Sequence, residues 1–395
     1  MLPQTGPFEF DYFGSDIVYG RGRVGELGDR LNEYGYGRAL VVCGSNVGAN
    51  EALMGPLRNG LYDCLVGVFD ETTPAKSVET VYDGIAAMDE TDPDVIVGVG
   101  GGSSLDIARQ MSVFAADGRS LASLRTAARE GDVDSPNPAA PLTPVVVVPT
   151  TFAGADLSSG GSIEVLSPDE SPTAQPVRAS GSLTPDAVVY DPDLFETTPM
   201  GALAGSAMNG FDKGLETIYS PDATPITDST SVHGVRLLSA AFPRLGTGDP
   251  GAMESAVQGI LLVQFQRKAS IIHAVGHGFA RRYPVQQGLI HATVAPHVLR
   301  YVLNEVDARR ELLAEAFGID TRASDGKLAE AIVEAVTEVR DSFDLPTRLR
   351  DYDPIRREDF QAVAEFTLED ALMQRAPAGL DPTVKDLEGV FDAAW

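Results

Sequence analysis

The chain has 395 residues, 43% of them hydrophobic, more than a single core usually holds, so two domains are expected. Fifty-seven acidic residues against thirty basic ones give a formal charge of −27. This repels duplex nucleic acid and anionic membranes, and it leaves any anionic cofactor to be held by local dipoles and a few selected cations. No run approaches the roughly 18 uninterrupted apolar residues that cross a bilayer and no signal region is evident, so a cytoplasmic protein is expected.

The acidity is spread along the chain without a dedicated tail, and it looks like that of a protein from concentrated salt. At about 1 M salt the screening length falls to roughly 3 Å, and most of the self-repulsion disappears. Two cysteines, Cys43 and Cys64, are too few for a disulfide framework and lack metal-ligand spacing.

The first half alternates strand and helix signals. Apolar, β-branched runs at Arg38–Cys43, Cys64–Phe69, Val95–Val99 and Pro144–Val148 read as strands buried on both faces, with amphipathic helices between them. That pattern belongs to a parallel sheet covered by helices, a Rossmann-like α/β arrangement. Residues 116–141, rich in charge, Ser, Pro and Gly, read as a surface excursion. Val188–Pro192 reads as the last strand of this half.

From about Met200 helical patterns take over, as in Ala256–Arg267, Ile290–Leu303 and Leu328–Phe343. An all-helical second half follows, with the boundary at Thr197-Thr198-Pro199. The expected domains are therefore 1–198, a dinucleotide-binding α/β domain, and 199–395, a helical substrate domain.

The stretch from Asp94 to Arg109 runs an apolar strand into Gly100-Gly101-Gly102-Ser103 and then into a helix start. Backbone N–H groups and the positive end of a helix dipole converge there on any anion. Glycines without a Cβ admit a diphosphate close to the main chain, and Ser103 is a candidate cap for the helix.

Five motifs in order resemble the iron-containing alcohol dehydrogenase family. They are Gly100 to Ser103 with Asp106; Val148-Pro149-Thr150-Thr151-Phe152-Ala153-Gly154; Asp191-Pro192-Asp193-Leu194; Asn209 to Ser220; and His273-Ala274-Val275-Gly276-His277 followed by Ala295-Pro296-His297. The resemblance implies a dehydroquinate synthase-like fold with the active site in the cleft between the two domains, and a homodimer. It implies that Gly101, Gly102 and Ser103 hold the cofactor diphosphate, that Asp106 supports this turn, and that Thr150, Thr151 and Phe152 flank the nicotinamide end. Arg178 is a further candidate for the diphosphate. Where NAD-preferring relatives end the second strand in an aspartate, this chain has Gly44 followed by Ser45 and Asn46. That leaves room for a 2′-phosphate and favours NADP, with NAD as the alternative.

Metal-dependent members use an aspartate and three histidines, and counting across this sequence gives Asn209, Lys213, His273 and Gln287. Neither amide neutralises a divalent ion and Lys213 brings a positive charge, so no metal is expected. The Asn209 position and the short Pro149–Gly154 segment are similar to the maleylacetate reductase branch, which works without a metal. That branch usually keeps histidines at Lys213 and Gln287, so the substrate is expected to differ.

The expected activity is NAD(P)-dependent interconversion of a small carbonyl compound and its alcohol. In it Lys213 takes over the ion's electrostatic role, His277 donates the proton, His273 orients or relays, and Asn209 and Gln287 bind a substrate oxygen. His233, His291 and His297 read as structural, with His297 at a helix boundary or near the cleft rim. Two alternatives stay open. One is a displaced ion held by Asp212, Glu216, His273 and His277 in an ordinary alcohol or polyol dehydrogenase. The other is a nucleotide-binding homologue without turnover.

Overall fold

The computed structural model describes residues 7–10, 14–131, 135–265 and 267–395. The chain divides into two compact units, one α/β and one helical. The break falls between Thr198 and Pro199, but the helical unit also takes in Phe152–Gly154 and the described N-terminal residues 7–10.

In the α/β unit six parallel strands form one sheet: β1 (Asp16–Tyr19), β2 (Ala39–Gly44), β3 (Leu65–Thr72), β4 (Val95–Gly100), β5 (Val145–Pro149) and, after a small hairpin, β8 (Ala187–Tyr190). Their order is β1-β8-β5-β4-β2-β3. Every residue of β4, β5 and β8 is buried, the expected state of strands covered by helices on both faces. The hairpin β6 (Ile163–Leu166) and β7 (Val177–Ala179) stands apart as an antiparallel pair.

The surface excursion contains a helix, Leu121–Glu130, which Ser120 caps by accepting from the Ser123 N–H. Leu124 and Ala128, one turn apart, bury its apolar side. Residues 132–134 of that excursion lie outside the described residues, as does residue 266 of the run read as Ala256–Arg267.

The helical unit carries no strand among its described residues. Its runs extend to Ala252–Gln264, Gln287–Glu305 and Asp325–Asp341. Close backbone approaches set the packing of the site helices. A Cβ on Gly288 would fall 2.0 Å from the carbonyl oxygen of Gly205, so helices Met200–Tyr219 and Gln287–Glu305 touch through their glycines.

Candidate active site

In the α/β unit, register alone assembles the nucleotide-binding edge. β4 pairs with β5 so that Gly100 faces Pro149, and the Thr150 N–H donates to the Gly100 carbonyl at 3.0 Å. The glycine turn and the threonine pair therefore leave adjacent carboxyl ends of the sheet, where α/β proteins place ligands. Gly100 has φ +126°, closed to a side chain. A Cβ on Gly102 would meet the Ala155 Cβ at 3.1 Å, and one on Gly101 the Thr151 Cγ2 at 3.4 Å.

The helix that follows runs Gly102–Asp117 with Gly101 at its N-cap and no side-chain cap. Ser103 therefore does not cap it. The strand ends so close to the helix that Ser103 already lies inside the first turn, past the position from which a hydroxyl reaches back. An uncapped sixteen-residue helix opening on glycines suits a diphosphate, and these residues fit a dinucleotide.

Asp106, in the first turns of this helix, is paired with cations the sequence did not single out. It accepts from Lys76 Nζ at 3.1 Å and from Arg109 at 3.2 Å. Arg109, wholly buried, also donates to the carbonyls of Ala155 and Asp156. Arg178 is exposed on β7, paired across the hairpin with Glu164, and nothing in that placement turns it toward the glycine turn. Ser45 and Asn46 are exposed after β2. Gly44 is less roomy than a missing side chain suggests, since a Cβ there would lie 3.1 Å from the Thr72 carbonyl oxygen. Asp70 of β3 packs against Gly48, just beyond.

Phe152 turns its ring inward. Its ring is fully buried in the helical unit, 5.3 Å from Phe242 centroid to centroid, and its N–H donates to Ser206 Oγ. Gly210 permits this docking, because a Cβ there would sit 2.1 Å from the Phe152 carbonyl oxygen.

One turn on from Gly210, Lys213 reaches the same segment. Its Nζ donates to the Ala153 carbonyl at 2.5 Å and the Gly154 carbonyl at 2.8 Å, and the residue is 7% exposed. Gly154 adopts φ +66° with the Gln264 amide directly over its Cα.

Glu216 serves helix Ile271–Arg282. Its Oε1 accepts from the N–H groups of Ile272 and His273, capping a helix whose own Ser270 provides no side-chain cap. Its Oε2 is hydrogen bonded to Nδ1 of His273. Burial pushes the Glu216 carboxyl up to about 8 against the pull of those backbone donors. Burial, with Lys213 nearby, holds the His273 imidazole well below its usual range. The Glu216–His273 pair is thus a carboxyl group and a ring sharing one proton in a dry place, with Nε2 as the ring's other nitrogen.

His277, one turn further, is 37% exposed and sets its Nδ1 2.8 Å from Asp370 Oδ2. Burial works to raise the Asp370 carboxyl, but the His277 contact and the Leu372 N–H together leave it lowered. Asn209 and Gln287 are both half-buried, Gln287 as the first residue of its helix.

His291 is fully buried beside Asp212 and His273. His233 is exposed. His297 lies inside helix Gln287–Glu305 rather than at a boundary, because the helix runs through Pro296.

The donor set does not suit a divalent ion. An ammonium has no lone pair to give, and here it is fixed on two carbonyl oxygens. The displaced arrangement fails too: Glu216 is committed to His273, His277 to Asp370, and Asp212 to the neighbourhood of His291. Among the described residues no three His, Cys, Asp or Glu side chains are grouped to hold a metal.

Residues 14–192 match the iron-containing alcohol dehydrogenase description, and residues 203–395 match the C-terminal region of the Fe-containing alcohol dehydrogenase family. Similar proteins include the NAD-dependent methanol dehydrogenase of Bacillus methanolicus, 26% identical over 95% of this chain and 97% of its own. Maleylacetate reductase 1 of Cupriavidus pinatubonensis is 24% identical over 79% of each. The solved alcohol dehydrogenase from Oenococcus oeni shares the fold with a TM-score of 0.84, at 22% identity, over 98% of this chain and 100% of that one. With both halves matched in order, the chain belongs to the iron-containing alcohol dehydrogenase family and is an oxidoreductase acting on alcohol–carbonyl pairs.

Proposed function

We propose that the protein interconverts a small carbonyl compound and its alcohol with a nicotinamide cofactor, NADP in preference to NAD, and does so without a metal ion. The observation that carries this reading is Lys213, an ammonium bonded to the Ala153 and Gly154 carbonyls at a position where metal-dependent relatives place a histidine. The dinucleotide, when bound, supplies or accepts the hydride.

The chain's own residues do the rest. Gly101, Gly102 and Ser103 take the diphosphate on an uncapped helix end. Lys213 stabilises negative charge on the reacting oxygen. His277, oriented by Asp370, gives or takes the proton through its other nitrogen. Asn209 and Gln287 hold a substrate oxygen. The NADP preference is supported by the absence of a carboxylate at the end of β2, where Gly44 stands. The protein is taken to work as a homodimer, a point that rests on the resemblance alone, and in the cytoplasm, as the sequence reading expects.

The test is turnover by purified protein over a panel of small aldehydes, ketones and keto acids with NADPH and NADH, before and after exhaustive chelation. Undiminished rates after chelation, with a higher kcat/KM for NADPH, are expected. Activity lost to the chelator and restored by iron or zinc overturns the metal-free reading. A preference for NADH overturns the cofactor assignment and points to Asp70 as the acid near the ribose. Cofactor binding without turnover on any substrate favours a non-catalytic homologue.

A further inference from the structure

Helix Met200–Tyr219 carries a second buried acid, Asp212, four residues before Glu216. Both its carboxylate oxygens are buried without a hydrogen-bond partner in the protein, and so are both ring nitrogens of His291 on helix Gln287–Glu305. The two side chains are wholly inaccessible, with Asp212 Oδ2 3.6 Å from His291 Nδ1. The His291 ring stands edge-on to His273, centroids 4.5 Å apart.

That ring is admitted only because residue 276 is glycine. A Cβ there would fall 2.3 Å from His291 Nε2. Two acid–imidazole pairs therefore lie back to back: Glu216 with His273, and Asp212 with His291. Burial pushes the Asp212 carboxyl up and the His291 imidazole down. The charged or titratable groups that act on the two pairs include Lys213, Glu216 and Tyr219 on the acid's own helix and His273, His277, Arg267 and Asp370 beyond it.

Four unpartnered polar atoms in a dry core are expensive, and packing alone would be served better by apolar side chains of the same size. We propose that Asp212 and His291 are positioning residues that fix the imidazole of His273. Resting on the metal-free reading above, they replace the directional hold that a coordinated ion would exert on that ring. Glu216 fixes the ring through Nδ1, and the second pair limits its rotation about that hydrogen bond. With both in place, Nε2 keeps one direction, so that His273 holds the surroundings of His277, the group that gives or takes the proton, in one arrangement.

The experiment compares Asp212→Leu, His291→Phe and Asp212→Asn in the full chain, reading kcat, KM and the thermal midpoint on chelated protein. The first two replace the orphaned polar atoms with larger apolar groups, so a purely structural role predicts a midpoint that moves with the balance of burial and overpacking while kcat stays intact. Positioning predicts instead that kcat falls about tenfold while KM stays within about twofold. Asp212→Asn, which keeps a polar partner for His291, should recover most of that loss. Chelated wild type that turns over, alongside Leu and Phe variants of undiminished kcat, overturns the positioning role alone. Wild type that is inactive until an ion is added overturns the metal-free reading instead. If the Leu variant fails to fold, the Phe and Asn variants decide.

Discussion

Replacing Lys213 by methionine keeps the stem and removes the charge. Two buried carbonyls, of Ala153 and Gly154, lose their donor, and each hydrogen bond to a charged group contributes about 1.5–3 kcal/mol. Relief of the ammonium's own desolvation offsets part of that, so a net stability loss of about 3 kcal/mol is expected. If the ammonium also faces the oxygen that gains charge, its loss should cost about 10²–10³ in kcat, the usual effect of deleting one such donor. The assay is carbonyl reduction on chelated protein, with the thermal midpoint followed in parallel. A variant whose midpoint drops while kcat stays within about threefold of wild type would show that Lys213 only ties down the Phe152–Gly154 segment, and the electrostatic role would be gone.

Two further outcomes follow from charge. Burial, reinforced by Arg300 and Arg340, pushes the His297 imidazole down to about 4 from an ordinary 6.5, so the folded chain holds it neutral. Its contribution to stability is present above pH 6.5 and is lost as pH falls toward 4. His297→Gln should flatten that acid limb of the melting curve, and an unaltered limb refutes the assignment. A chain of net charge −27 should gain thermal stability as KCl rises from about 0.1 M to about 2 M. A midpoint indifferent to salt would remove the halophilic interpretation.

How much of this was legible depended on whether the signal was local. β2, β4, β5 and β8 are dense runs of buried apolar residues, and the sequence reading placed them to within a residue or two. β1 escaped because Asp16–Tyr19 is four residues long and half-exposed. The hairpin β6–β7 escaped because strands of four and three residues carry too little alternation to read.

In the active site, residue types were readable and partners were not. Asp370 lies 93 residues from His277 and Glu216 57 from His273, and no spacing rule links positions so far apart. The burial of Phe152 was hidden for a related reason. An aromatic ring after two threonines looks like part of a nicotinamide surface, and only Gly210, far along the chain, allows it to be swallowed by the core. Gly276 and Gly210 were the missed clues: glycines inside helices whose purpose was to let something else in.

The three-residue excursion Phe152–Gly154 belongs to the helical unit although α/β residues precede and follow it. During synthesis this phenyl ring therefore leaves the ribosome well before Phe242, the ring it packs against. The nascent first half must wait with a greasy loop undocked, and a truncated gene product ending near Thr198 would keep that loop permanently adhesive. The C-terminal half thus acts as an internal chaperone for the segment to which Lys213 is fastened.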